Sequence, residues 1–268
     1  MSSPAERRES AEPLVKSERD ARGVIILTLN RPQAFNALSE ALLAALQGEL
    51  DAIAVDERVR AVVIAAGGKA FCAGHDLKEM RAKPSQAYYE DLFARCAGLM
   101  LTLQKLPVPV IARVQGIATA AGCQLVAACD LAVAVKEARF AVSGVNLGLF
   151  CSSPSVALAR NVGRKAAFEM LVTGEFISAD EARERGLVNR VVAADALDAE
   201  IEKIVAAIVA KPRVAIALGK QLFYRQVETG TAAAYEDAGR TMACNMMEPA
   251  TLEGVQAFIE KRKPDWPV

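Results

Sequence analysis

Two stretches of this sequence place small residues at a strand-to-helix turn, where main-chain N–H groups are left free to bind a ligand. In residues 67–79, GGKAFCAGHDLKE, Gly68 and Gly74 allow close backbone approach, and Asp76 can cap the helix that follows. In residues 115–130, QGIATAAGCQLVAACD, Ala120, Ala121 and Gly122 leave the first amides of a second helix unobstructed. Two preorganised amides aimed at one carbonyl oxygen stabilise an enolate or a tetrahedral anion, each donor being worth about 3 kcal/mol, or roughly 10² to 10³ in rate. Taken singly, these are weak signals, and residues 67–79 alone read as a tight structural turn. The spacing of neither matches a G-x-G-x-x-G fingerprint or a phosphate-binding P-loop.

The elements that would hold these turns follow a recurring strand, loop and helix order. A β-branched and leucine run at 24–29 ends at Pro32, and Ser39 can cap a helix whose Leu42, Leu43, Leu46, Leu50 and Ile53 recur at spacings of three and four. Continuous apolar strands are expected at 61–66, 110–114 and 131–135, with 67–74 read as a loop and a helix running through 92–106 to Pro107. Such a pattern points to an α/β core with its site on the loops at strand ends. Past residue 164 the pattern turns helical: Ser178 and Glu181 form a capping box, Gly186 ends that helix, and a last short strand is expected at 187–192. Helices are expected at 195–210, 212–228, 231–245 and 249–261, and the closing EKRKPDW should pack on the core or on another subunit. The division is a frayed 1–14, a core over 15–194 and a helical region over 195–268.

Composition narrows the functions available. The 268 residues are 53% hydrophobic and 24% charged, with 32 Lys plus Arg against 32 Asp plus Glu, so no whole-protein field attracts nucleic acid or an anionic membrane. Any anionic ligand then needs a local basic patch. The single histidine, His75, argues against a His-containing metal centre, and no metal or cofactor is expected. Six cysteines with no Cys-x-x-Cys pair read as reduced core thiols. The apolar stretch 116–135 could span a bilayer by length, but Gln124, Asp130 and two glycines mark it as buried interior. The opening residues lack an apolar signal region, and the cytoplasm is the expected location.

Six ordered blocks carry a resemblance: LNRPQAFNALS, AFCAGHDLKE, PVPVIARVQGIATAAGCQLVAACD, FAVSGVNLGLF, MLVTGEFISADEARERGLVNRVV and FIEKRKPDW. Together, from about Val15 to Trp266, they resemble the enoyl-CoA hydratase/isomerase (crotonase) superfamily. The resemblance implies an α/β fold made of a spiral of β-β-α units, followed by a C-terminal helical region that assembles a homotrimer or a hexamer. It further implies an acyl-CoA ligand whose thioester carbonyl sits between the N–H groups of His75 and Ala121. The coenzyme would lie along Gln33, Ala34 and Phe35 and along Ala73, His75, Asp76, Leu77 and Lys78. Phe258 and Lys261 would reach the coenzyme of a neighbouring subunit, with Lys261, Arg262 and Lys263 as the local basic patch.

The departures from the family pattern matter as much as the match. Hydratases of this family carry two glutamates, and the corresponding positions here are Gln124 and Gly144. Hydration needs a base to activate water and an acid to protonate carbon, and neither residue can serve. No Asp or Glu occurs in 92–129 or 138–168, and the two between these stretches, Asp130 and Glu137, read as structural. Hydratase activity should therefore be weak or absent. Two alternatives use the same site. One is decarboxylation of a malonyl-type acyl-CoA, which generates its own enolate; the AGHD and VNLG strings resemble those of methylmalonyl-CoA decarboxylases. The other is a non-catalytic acyl-CoA carrier or sensor. His75, with an ordinary pKa near ~6.5, either protonates a carbanion or bonds a carboxylate through its ring, or contributes its backbone N–H alone. Cys151 sits at the expected acyl end as filler, Gln124 bonds within the pocket or fixes a water, and Asn146 holds a turn.

Overall fold

In the computed structural model, which describes residues 12–266, the strands form two sheets that share one apolar core. The expectation of a frayed start falls largely on residues outside that range. The chain begins with β1 (Val15–Arg19) and β2 (Val24–Leu29), an antiparallel pair, followed by α1 (Glu40–Ala54). Ser39 caps α1 by accepting from the Leu42 N–H, and the leucine stripe read from the sequence is its buried face. Next come β3 (Ala61–Ala66), β4 (Ala70–Cys72), α2 (Leu77–Ala82) and α3 (Gln86–Lys105). They are followed by β5 (Val110–Val114), β6 (Ile117–Thr119), α4 (Ala121–Ala128), β7 (Leu131–Val135) and β8 (Arg139–Ala141).

The rest of the spiral comprises α5 (Ser152–Asn161), α6 (Arg164–Thr173), β9 (Ile177–Ser178), α7 (Ala179–Glu184) and β10 (Arg190–Val192). The larger sheet runs β1-β2-β3-β5-β7-β10, parallel after its first pair, and its β3 is buried along its whole length as an interior parallel strand should be. The smaller sheet, β4-β6-β8-β9, is the part that sequence patterning missed. Residues 67–74, expected as loop, contain β4, and the last strand of the core is shorter than 187–192. Strands of two or three residues offer too little alternation to be seen in a sequence. The alternation of long and short strands gives the β-β-α spiral that the resemblance implied.

Four helices follow: α8 (Leu197–Val209), α9 (Arg213–Gln226), α10 (Thr231–Met246) and α11 (Pro249–Ile259). α8 packs against the larger sheet through Leu197, Ile201, Ile204 and Val205. Trp266, the last described residue, folds onto its own chain, its Nε1–H donating to the Ala210 carbonyl at 3.0 Å. No helix among the described residues is long and apolar enough to cross a membrane.

Candidate functional site

The loop before α2 and the turn into α4 meet. Gly74 has φ +94°, and a Cβ there would stand 2.9 Å from the Ala120 Cβ and 3.3 Å from the Ala121 nitrogen, so only glycine fits at this crossing. Leu38 forms a parallel bridge with His75: its N–H donates to the Gly74 carbonyl at 2.7 Å and its carbonyl accepts from the Asp76 N–H at 3.3 Å. The bridge uses the groups on either side of His75 and leaves the His75 N–H itself free. Asp76 secures the same loop, capping α2 through the Lys78 and Glu79 N–H groups and pairing with Arg31 at 3.1 Å.

Across the crossing, Ala120 has φ 50° and ψ −121°, a backbone state that an alanine adopts only under constraint. That turn makes Ala121 the first residue of α4, with no earlier carbonyl in line to accept its N–H. Neither the His75 nor the Ala121 N–H has an acceptor among the described residues, although Ala121 is only 1% exposed. Buried backbone donors are nearly always paired, so these two unpaired N–H groups are available to donate to an acceptor from outside the chain.

Beside them lies a cavity of about 290 Å³. Ala73, His75, Ala121, Gly144 and Cys151 line it, together with Leu77, Met80, Phe93, Leu147, Leu149, Phe150 and Pro154. Its remaining walls are Ala120 and three serines, 143, 152 and 153; no Asp, Glu, Lys or Arg is among its described lining residues. The sequence reading missed Met80, Phe93, Leu149 and Phe150. For Phe93 a signal existed, because it falls one residue off the buried stripe Leu92, Cys96, Leu99 and Leu103 of α3.

The titratable groups at the cavity are not poised for proton transfer. Burial pushes His75 down to about 4, a contact with the Leu38 carbonyl offsetting this only in part, and its ring packs edge-on to Phe93 with centroids 5.4 Å apart. The imidazole is therefore neutral at pH 7, and its Nδ1 has no partner. Desolvation thus lowers the ring from its unperturbed value, which disfavours the charged form that would bond a substrate carboxylate. Burial likewise raises the Cys151 thiol, although the Gly144 N–H donates to its Sγ at 3.3 Å.

The two family glutamate positions have distinct settings. Gln124 is 4% exposed, its Oε1 has no partner, and it is not among the residues lining the cavity. Gly144 is sterically committed: a Cβ there would come within 2.4 Å of the Leu149 carbonyl oxygen and 2.8 Å of the Cys151 Sγ. Asp130 and Glu137 are structural as expected, the first bonded to Lys220 and Tyr224 and the second in an exposed turn. Asn146 holds its turn through the Gly174 carbonyl.

The proposed coenzyme-lining segments are brought together in part. Gln33, Ala34 and Phe35 lie beside Ala73 to Lys78, joined by the Ala73 N–H donating to the Phe35 carbonyl at 3.1 Å. Buried Asn36 ties that loop to the Gly67 and Ala70 carbonyls, which holds Phe35 outward at 59% exposure. Phe258 and Lys261 do not line the cavity of their own chain, and Phe258 is 85% exposed. The basic patch is smaller than its sequence suggests, because Arg262 pairs with Glu253 and Glu260 at 2.6 Å each.

The enoyl-CoA hydratase/isomerase family profile matches residues 19–267. The human enoyl-CoA hydratase domain-containing protein 3, mitochondrial, is 44% identical over 262 residues, covering 98% of this chain and 86% of that protein. A crystal structure of the same human protein superposes with a TM-score of 0.91 at 43% identity, covering 94% of this chain and all of that one. A crystal structure of an enoyl-CoA hydratase from Mycobacterium smegmatis superposes with a TM-score of 0.95 at 72% identity, over 95% of this chain and 99% of that one.

Proposed function

This chain belongs to the enoyl-CoA hydratase/isomerase family, and on that premise we propose that it binds an acyl-CoA by its thioester and hydrates enoyl-CoA weakly or not at all. The carbonyl oxygen accepts from the His75 and Ala121 N–H groups, while the acyl group enters the cavity and the coenzyme runs along residues 33–35 and 73–78. The observation that carries this reading is the pair of unpartnered amides beside a cavity with no carboxylate among its described lining residues.

The two amides stabilise negative charge on the thioester oxygen as an enolate forms, each worth about 3 kcal/mol. Hydration requires two proton movements besides, from water to a base and from an acid to the α-carbon. Each such group contributes roughly 10² to 10⁴. Gln124 and Gly144 supply neither, the His75 ring is too weak a base at about 4 and too rarely protonated to act as the acid, and Cys151 stays a thiol. The neutral His75 ring also weakens the decarboxylase alternative, which relied on that side chain.

Assembly as a homotrimer, alone or paired, is part of the same proposal. α10 buries no residue within its own chain, and Phe223, Tyr235, Met242 and Met247 are exposed on the C-terminal helices, an apolar surface that a second copy would cover. A reducing location such as the cytoplasm suits six free thiols, five of them buried.

The test has two readouts. Crotonyl-CoA hydration should run at least about 10³-fold below that of a hydratase with both glutamates. An aryl-enoyl thioester of coenzyme A should show a red-shifted absorption on binding, because amides that polarise its carbonyl stabilise the excited state. Hydration at the level of a two-glutamate enzyme, or binding with no shift, would refute the proposal.

A further inference from the structure

We propose that the cavity selects an uncharged acyl chain of medium length and rejects one that ends in a carboxylate. The inference rests on the acyl-CoA reading and adds to it the class of acyl group. Its length limit comes from volume. About 290 Å³, at roughly 30 Å³ for each water-sized group, holds on the order of ten heavy atoms, an acyl group of about eight to ten carbons.

Charge selection comes from the walls. Leu77, Met80, Phe93, Leu149, Phe150 and Pro154 present hydrocarbon, and no cationic side chain is among the described lining residues. The only feature with anion-binding character at the acyl end is the N-terminus of α5, and it is largely spent. The Ser152 N–H donates to the Phe150 carbonyl at 2.8 Å, Pro154 has no N–H, and the Ser155 N–H donates to the Cys151 carbonyl at 2.9 Å. Only the Ser153 amide is left. Two of the three serine side chains are similarly occupied, Ser143 with Thr119 at 2.8 Å and Ser152 with the Phe150 carbonyl at 3.4 Å. A terminal carboxylate would meet the Ser153 amide and hydroxyl but no counter-charge, whereas a methyl terminus meets the environment it prefers.

Titration of the wild-type protein with coenzyme A and with its butyryl, octanoyl, hexadecanoyl and suberyl thioesters tests this directly. Each methylene moved from water to an apolar wall multiplies affinity by about three to four, so octanoyl should bind at least about 30-fold more tightly than butyryl. Hexadecanoyl should bind no more tightly than octanoyl. Suberyl, of the same length but ending in a carboxylate, should bind about 100-fold more weakly than octanoyl. In Phe150→Arg, a cation placed at a wall residue already 42% exposed should narrow the suberyl-to-octanoyl gap at least tenfold. Suberyl binding within threefold of octanoyl in the wild type, or affinity still rising to hexadecanoyl, overturns this inference alone. If no thioester binds more tightly than free coenzyme A, both this inference and the acyl-CoA reading fall.

Discussion

The two ends of α4 have opposite chemistry within eight residues. At its start Ala120 is strained, Ala121 offers an N–H with no acceptor, and no side chain caps the helix. Just past its end, Asp130 accepts from the Val110 N–H at 2.6 Å, from Lys220 Nζ at 2.6 Å and from the Tyr224 hydroxyl at 2.7 Å. Lys220 then spends its other two donors on the Leu103 and Val108 carbonyls, at 2.8 and 2.9 Å. One end leaves a donor unpaired at a cost in stability; the other closes every bond and ties α9 to α3, β5 and the exit of α4. Polar groups satisfied within the fold hold it together, and on the reading proposed above the unsatisfied ones are where it acts.

The sharpest way to break this contrast is to damage the satisfied end. In Lys220→Met, Asp130 loses its counter-charge in a partly buried site, with the Lys220 side chain 6% and the Asp130 side chain 14% exposed. Unfolding in urea should show a loss of about 3 kcal/mol, and Tyr224→Phe should lose about 1.5 kcal/mol. The folded Lys220→Met protein should still shift the absorption of the aryl-enoyl thioester. A loss under about 1 kcal/mol would mean the cluster is decorative, and a vanished shift would mean the two ends are not separable.

Damage to the open end should give the reverse pattern. Ala121→Pro deletes the N–H at the first helical position, the place in a helix where proline is best tolerated. A backbone ester at the same position, with lactic acid in place of Ala121, makes the same deletion without a ring. Either change should abolish most of the red shift and lower any turnover of a thioester by about 10² to 10³, with the urea midpoint little changed. An undiminished shift would show that the carbonyl is held elsewhere.

Why one end is more legible in the sequence than the other follows from the kind of group each uses. Ser39, Asp76 and the Ser178 and Glu181 pair are side-chain caps with known spacing, and each is found in that role. The long apolar strands and the leucine stripe of α1 were also readable from periodicity. The four-stranded sheet was not, because β4, β6, β8 and β9 have two or three residues each. The amide site is made of main chain, which carries no residue-type signature, so it was only one of two readings until the family resemblance singled out His75 and Ala121. The Asp130, Lys220 and Tyr224 cluster joins residues about ninety positions apart, and nothing local pairs them. The lowering of the His75 pKa was hidden for the same reason: burial against Phe93 is set by a different element.

His75 provides a pH test of that burial. Its folded pKa is depressed to about 4 from an ordinary 6.5, so between these values the unfolded chain binds a proton that the folded chain refuses. Stability should therefore fall as pH drops from about 6.5 toward 4, by up to about 3 kcal/mol from this residue alone. Carboxylates contribute to the same fall, so the measurement is the difference between wild type and His75→Gln across the window. If the two curves run parallel, the ring titrates normally and faces solvent.

The smallest expected effect is the most direct probe of strain at the open end. Ala120 at φ 50° and ψ −121° carries a penalty that glycine would not, on the order of 1–3 kcal/mol, against which glycine's extra freedom in the unfolded chain sets about 0.5–1 kcal/mol. Ala120→Gly should thus be more stable than wild type by about 0.5–1 kcal/mol in urea. It should also bind the aryl-enoyl thioester with a smaller red shift, since the turn that aims the Ala121 N–H is no longer stiffened by a side chain packed on Gly74. A destabilised variant with an unchanged shift would show that the Ala120 methyl serves the packing of the crossing and not the aim of the donor.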